Sequence, residues 1–375
     1  MRVMNICNDR RQPRKATIST QTANRGGFAL IVVMVIIAIL GGIAVHFSSN
    51  MKVEMKLAQN SNFDAEFEAL GLSGIEYARY VLALEAATTM TYEPFDALHQ
   101  VWAGGPGSEN FPQDEELMAV SLQNNPLGNG TFSISITDME RKWNINSGNE
   151  ELLEQCFILM GIDLSETSSI SNAILDWMDP DNIVRPGGAE MDDYLTRFPP
   201  HVCKDGPIDD ITELLRVQGV TPPMFWGPEF NPAIHLGPEA DAEMFQFEAM
   251  ALAYPFGLKD FFTPISSGSI NVNTAPMHVL MVIPGIDELS ASQIVMQRAG
   301  PDGVQGTPDD TPYSSPSMIP LMPDVVSMAG GFLSVRSLHF LVDVDVTING
   351  ATKKFQGLLR RESPQKVDII YVRRQ

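Results

Sequence analysis

Residues 25–47 read RGGFALIVVMVIIAILGGIAVHF. From Phe28 to Phe47 twenty residues pass without a formally charged side chain. A helix of that length rises about 30 Å, the thickness of a bilayer's hydrocarbon. A secretory signal peptide places its cleavage site after a short apolar region, beside small residues. Here the candidate junction, Gly27-Phe28, lies before the apolar run. Cleavage there would leave the membrane helix on the mature chain.

That order, a basic leader, Gly27, Phe28 and then the apolar helix, resembles the type IV pilin and pseudopilin signal. The resemblance implies cutting by a prepilin peptidase, with Phe28 as a new N-methylated terminus. Most of that superfamily carries Glu at the fifth mature position, which here is Val32. The K-type minor pseudopilin of type II secretion typically lacks that Glu, so the departure points to this subgroup. An ordinary signal anchor with a fortuitous Gly-Gly-Phe is the competing reading.

The chain has 375 residues, enough for one or two domains, and a formal charge of −21. The leader, residues 1–27, holds Arg2, Arg10, Arg11, Arg14, Lys15 and Arg25 against Asp9. Its loss would make the mature charge −26. A basic flank before the helix and an acidic bulk after it fit an N-terminus in the cytoplasm and an exported remainder; the resemblance implies that the membrane is the inner membrane and the remainder periplasmic. So acidic a chain is a poor partner for nucleic acid, whose binding needs Lys and Arg against phosphate. Of the three cysteines, Cys7 leaves with the leader. Cys156 and Cys203 would then sit in an oxidising compartment, either as a disulfide or as two separately buried thiols.

Beyond residues 28–47 the helical pattern continues. Val53, Leu57, Phe63, Phe67, Leu70, Gly74, Tyr77, Ala78, Val81 and Leu82 recur mostly at spacings of three and four. The spacing predicts one helix running from the membrane segment to about Leu84, within a region 48–100; the alternative is a break near Ser48–Asn50. Thr131–Thr137 alternates strictly and predicts a strand. Residues 338–348, 354–360 and 367–373 predict three further strands, with Asn349-Gly350 as a hairpin turn. Between them the signals are mainly helical, at 150–160, 169–178, 208–217, 277–283 and 290–298. The fold class is therefore α+β: a long N-terminal transmembrane helix, a small antiparallel sheet (101–142 and 330–375), and a large inserted α-helical domain (143–329). The K-type pseudopilin resemblance implies the same interruption of a pilin-like sheet.

Within the insert, Ile270–Arg298 resembles a helix-hairpin-helix or SAM-like unit. Asn273 and Pro276 start its first helix, Pro284-Gly285-Ile286 turn, and Ala291, Ile294 and Val295 pack the second. Such units often hold DNA phosphates, but Asp287 and Glu288 follow this turn directly and would repel them. The unit reads as packing. The segment Asp176–Tyr194, DWMDPDNIVRPGGAEMDDY, matches the K-type pattern at Asp176, Trp177, Asp179, Asp181, Gly188, Ala189, Glu190 and Tyr194. Hard oxygen ligands on a flexible loop suit Ca²⁺, and the resemblance implies calcium here. Asp179, Asp181 and Glu190 are the first candidates, with Asp192 and Asp193 behind them; acidic caps and turns are the competing reading. A second acidic loop, Gly300–Tyr313, places Asp302, Asp309 and Asp310 among glycines and fits a Ca²⁺ loop or a solvated insertion equally.

No catalytic motif is legible: no Gly-x-Ser-x-Gly, no phosphate-cradling glycine loop and no His-Glu-x-x-His. The resemblance implies a tip subunit of the type II pseudopilus that starts assembly and caps growth with I- and J-type partners. Two other readings stay open on sequence: a minor pilin of a type IV pilus or competence system, and a signal-anchored periplasmic binding module.

Overall fold

The computed structural model describes residues 25–109, 114–235, 254–329 and 331–375. Leader residues 1–24 lie outside them, and the side chains of Gly27 and Phe28 are likewise not described. The chain divides at Asp64 into two units.

In the first unit the chain is helical from Arg25, within α1 (Arg25–Thr89). Leu30–Ser48 is the one helical stretch among the described residues long and apolar enough to cross a membrane. Leu30, Ile31, Met34, Ile37, Leu40, Ile43 and Phe47 are all exposed. They cover every side of the helix, as suits lipid rather than one packed face. No break occurs at Ser48–Asn50.

The second unit begins with the last part of α1. Phe67, Leu70, Ile75, Ala78, Val81 and Leu82 form a buried stripe. It lies on an antiparallel sheet of order β1-β2-β7-β8-β9, made of Asn125–Leu127, Gly130–Asp138, His339–Ile348, Ala351–Ser363 and Lys366–Arg374. The contact is close because α1 offers glycines to it. A Cβ on Gly71 would stand 2.5 Å from the Phe355 ring, and one on Gly74 2.5 Å from a Val344 methyl. Alternation sends Phe132, Ile134 and Ile136 of β2, and Phe340, Val342, Val344 and Val346 of β7, to this core. Registers such as Ile134 opposite Val344, and Val344 opposite Phe355, hold them level. Asn349 and Gly350 both take positive φ in the β7–β8 turn, as a two-residue hairpin of that kind requires. The helix outruns the expected end at Leu84 but stops well short of residue 100. The Thr88 and Thr89 hydroxyls bond back to the Leu84 and Glu85 carbonyls, and a loop follows. A single-turn helix, α2 (Glu115–Met118), precedes β1.

β2 and β7 are sheet neighbours although some two hundred residues separate them. The intervening chain has its own core, including Trp143, Phe157, Ile174, Trp177, Phe261, Leu280 and Ile294. Two short parallel pairings tie it together: β3 (Trp143–Asn144) with β4 (Phe262–Thr263), and β5 (Ile270–Asn271) with β6 (Leu333–Ser334). Its main helices are α3 (Glu150–Leu159, capped by Asn149) and α4 (Leu164–Met178, capped by Asp163). The Asp163 cap starts α4 five residues before the expected Ser169. Residues 208–217, expected as helix, form only a 3₁₀ segment at Ile211–Arg216, and Gly219 follows at φ +83°. In the hairpin, Met277–Leu280 and Glu288–Arg298 flank Gly285 at φ +85°, with Ile286 buried between them. Asn273 does not start that first helix. It is buried, and its amide exchanges hydrogen bonds with the Tyr313 backbone (3.0 and 2.8 Å).

Sheet and insert meet at a buried polar seam. Arg361 on β8 pairs with Asp96, at 4% and 5% exposure. The other Asp96 oxygen accepts from the Ser337 N–H at 2.8 Å. Asp138, at the end of β2, accepts from the Ser337 hydroxyl (2.6 Å), the Asn271 amide (3.1 Å) and the Thr274 hydroxyl. Glu140 accepts the backbone N–H groups of Ser267 (2.9 Å), Leu338 (3.1 Å) and His339 (3.0 Å). Burial opposes its ionisation, but the donors of His339 and Ser267 outweigh that and hold its pKa below the usual value.

Removing one partner of such a pair leaves an uncompensated buried charge. Asp96→Ala should cost about 3–5 kcal/mol, whereas Asp96→Leu with Arg361→Met should recover most of it. Denaturant melts of the detergent-solubilised chain read both; equal losses for the single and double variants would contradict the pairing.

Glu85 sits beside this seam, accepting from the Trp102 N–H at 3.3 Å. Burial, then the Glu93 and Asp96 carboxylates, push it up to about 8 against the Trp102 bond and Arg361. The folded chain thus holds this proton more tightly than the unfolded chain. Stability from this group falls as pH rises from about 4.5 to 8 and stays low above. Glu85→Gln should therefore raise the melting temperature at pH 8.5 and change it little at pH 4.5 (roughly 1–3 kcal/mol at the upper end). Parallel pH profiles for wild type and variant would refute this.

Candidate metal centre

The acidic segment Asp176–Tyr194 is organised by the end of α4. Asp176 is fully buried in its last turn and accepts from the Arg185 backbone (3.2 Å) and guanidinium (2.7 Å). The same guanidinium reaches Asp179, where α4 ends. The loop folds back through Pro186-Gly187-Gly188. Gly187 has φ +79°, and a Cβ on Gly188 would fall 2.0 Å from an Asp176 oxygen, so only glycine fits there. Trp177 and Tyr194 meet edge to face at 5.1 Å, and the Tyr194 oxygen accepts from the Gln218 N–H at 3.2 Å. The Asp-Trp, Gly-Ala-Glu and Tyr parts of the motif therefore build the frame of the loop.

This frame brings together one donor atom each from Asp179, Asp181 and Glu190, all within 4.8 Å of one another. Glu190 is only 3% exposed, yet neither carboxylate oxygen has a hydrogen-bond partner. One oxygen of Asp179 and one of Asp205 are also buried without a partner. Such groups cost free energy unless something satisfies them. Burial, then Asp176, Asp179, Asp205 and Asp181, push Glu190 up to about 7. An orphaned buried carboxylate among other carboxylates fits a hard divalent cation, which supplies the missing charge to oxygen ligands. Asp179, Asp181 and Glu190 would hold it.

Other expected ligands lie elsewhere. Asp192 and Asp193 sit in the first turn of α5 (Met191–Leu195), outside the cluster. Asp193 accepts the Glu190 N–H at 3.1 Å. Asp302, Asp309 and Asp310 form no such group of three among the described residues. They serve their own loop: Asp302 accepts from the Val304 N–H (2.7 Å), Asp309 from the Thr307 hydroxyl (2.7 Å) and Asp310 from the Gly306 N–H (2.8 Å).

Of the two readings left open for Cys156 and Cys203, the structure has the second: each is a buried thiol not joined to the other. Cys156 Sγ lies 3.9 Å from Met160 Sδ within α3, while Cys203 Sγ faces the Asp176 carbonyl at 3.8 Å. Each thiol is packed in its own surroundings. Sequence reasoning missed Asp205, which joins Glu190 and Cys203 in a second group of donor atoms within 4.8 Å. Its only signal was an Asp-Gly-Pro turn at 205–207, which does not say that the turn faces residue 190.

The described residues thus hold one long apolar helical stretch in the first unit and, in the second, a helix-backed antiparallel sheet with an insert between two neighbouring strands. Comparison with known proteins is more specific. Residues 130–226 match the family model described as type II secretion system (T2SS), protein K. Type II secretion system protein K of Klebsiella pneumoniae is 19% identical over 355 residues, covering 90% of this chain and 92% of that protein. The protein of the same name from Pectobacterium carotovorum subsp. carotovorum is 24% identical over 265 residues, 65% of this chain and 70% of its own. A chain in the crystal structure of the GspK-GspI-GspJ complex from the enterotoxigenic Escherichia coli type 2 secretion system shares the fold. The TM-score is 0.58 at 18% identity, over 85% of this chain and 99% of that one. Together these matches show the resemblance to the K-type minor pseudopilin that the sequence motifs carry. A minor pseudopilin of type II secretion is the class of function they support.

Glu190→Gln gives a direct test of the centre. Without calcium it should raise the melting temperature, because a partnerless buried charge is removed. With calcium the order should reverse, because a ligand that binds only the folded chain stabilises it by mass action. Identical melts for both proteins in calcium and in chelator would count against a cation at Glu190.

Proposed function

We propose that this chain is a tip subunit of the type II secretion pseudopilus. There it starts assembly and caps growth with I- and J-type minor pseudopilins, supporting protein export across the outer membrane. The observation that carries the reading is the insert between β2 and β7. A pilin-like head bearing so large an addition obstructs a further subunit stacking above it. Val32 agrees: the carboxylate that usually stands there is thought to meet the N-terminal amine of a neighbouring subunit in the filament, and a first subunit has no such neighbour. The name of the solved complex, which joins K, I and J proteins, supports the choice of partners.

In this reading a prepilin peptidase cuts between Gly27 and Phe28 and Phe28 is methylated. The apolar stretch anchors the chain in the inner membrane, with its N-terminus cytoplasmic and its bulk periplasmic. Calcium at Asp179, Asp181 and Glu190 firms the loop that frames the insert. A mature charge of −26 also disfavours a homopolymer, since stacking would crowd that charge along the filament.

Two measurements test the proposal. Mass spectrometry of the mature chain should give a methylated Phe28 terminus, and Gly27→Ala should slow or stop processing; a terminus near Ala44 would refute the pseudopilin reading. Immunogold labelling of sheared pseudopili should mark one end. Label along the whole shaft would overturn the tip placement.

A further inference from the structure

We propose that the acidic pocket has a second lobe, formed by Glu190, Cys203 and Asp205, which takes a thiophilic divalent cation of the zinc class. The proposal rests on reading Glu190 as a cation ligand, and it adds to that reading a sulfur donor that calcium does not use.

Three observations carry it. Donor atoms of Glu190, Cys203 and Asp205 all lie within 4.8 Å of one another, a group that shares only Glu190 with the Asp179–Asp181 side. Glu190 has two buried oxygens without partners, so its carboxylate can serve both lobes; an Asp205 oxygen is likewise buried and partnerless. Cys203 is 4% exposed and has no disulfide partner; its sulfur lies beside Asp205, with whose side chain and backbone it hydrogen-bonds, and 3.8 Å from the Asp176 carbonyl. In the exported location proposed above, an unpaired thiol is unusual, and metal ligation gives it a role.

The donor set separates the lobes. Calcium is a hard cation that takes oxygen ligands, so the Asp179–Asp181–Glu190 side suits it. Zinc and cadmium accept thiolate together with carboxylate, so one sulfur and two carboxylates favour them. Binding converts the Cys203 thiol to a thiolate, and its proton passes to the solvent. Cys156 sits in separate surroundings beside Met160 and should play no part.

The test uses the full chain in detergent, carrying Cys7→Ser so that only Cys156 and Cys203 remain, with calcium present throughout. Cadmium is titrated while the ultraviolet sulfur-to-metal charge-transfer band is recorded. The band should appear in this protein and in its Cys156→Ser variant, and vanish in Cys203→Ser. Asp205→Asn should weaken cadmium binding by at least about tenfold. No band at saturating cadmium, or a band that survives Cys203→Ser, would overturn the proposal. Should Cys203→Ser not fold, Cys156→Ser and Asp205→Asn still decide: loss of the band in the first, or unchanged affinity in the second, overturns it. Calcium-dependent melting keeps the two readings apart. A calcium response without a cadmium band removes the second lobe alone, while a band without any calcium response removes the calcium reading alone.

Discussion

The rest of the structure depends on a buried ion pair, Arg361 with Asp96, and on the carboxylate of Asp138 beside it. Burying charge is costly unless every group finds a partner. Here the partners come from four places: the loop after α1, the end of β2, the segment at Asn271–Thr274 and the chain entering β7. Asp138 has its full set of donors only when the Asn271–Thr274 segment and the chain entering β7 are both in place. The apolar cores supply the larger share of the driving force, but they are tolerant of sliding. The polar seam is not, and so it sets which part of the insert faces the sheet.

Much of this was written locally in the chain. The apolar run, the alternation of Thr131–Thr137 and of residues 338–348, and the Asn349-Gly350 turn each declare themselves within a few residues, and the structure has a helix, two strands and a turn at these places. α3 and the long helix of the hairpin were similarly legible from their spacing. What escaped were features decided by distant partners. Asn273 looked like a helix start but reaches forty residues ahead to Tyr313. Residues 208–217 carried an apolar spacing, yet the site allows only a short 3₁₀ turn.

The candidate centre divides in the same way. Asp179, Asp181 and Glu190 belong to one motif whose glycines and aromatic residues have evident local work, and the structure brings them together. Asp205 and Cys203 lie beyond that motif, and only the fold carries them back to Glu190. For Asp302, Asp309 and Asp310 the sequence offered two equal readings, because acidic residues and glycines make the same pattern whether they bind an ion or close a loop; in the structure they accept bonds within their own loop.

Because β2 and β7 are antiparallel neighbours, with Asp138 opposite Phe340, the chain leaves the sheet and returns to it at nearly one point. Closing so long an excursion costs little more than closing a shorter one, since each doubling of length adds only about 0.6 kcal/mol. By topology alone the insert could be excised, replaced or enlarged, like a cassette in a socket. The socket is not blank, however. Asn271 and Thr274 from the cassette are what satisfy Asp138, so any exchange must bring two donors of its own to that carboxylate or replace it with an apolar residue.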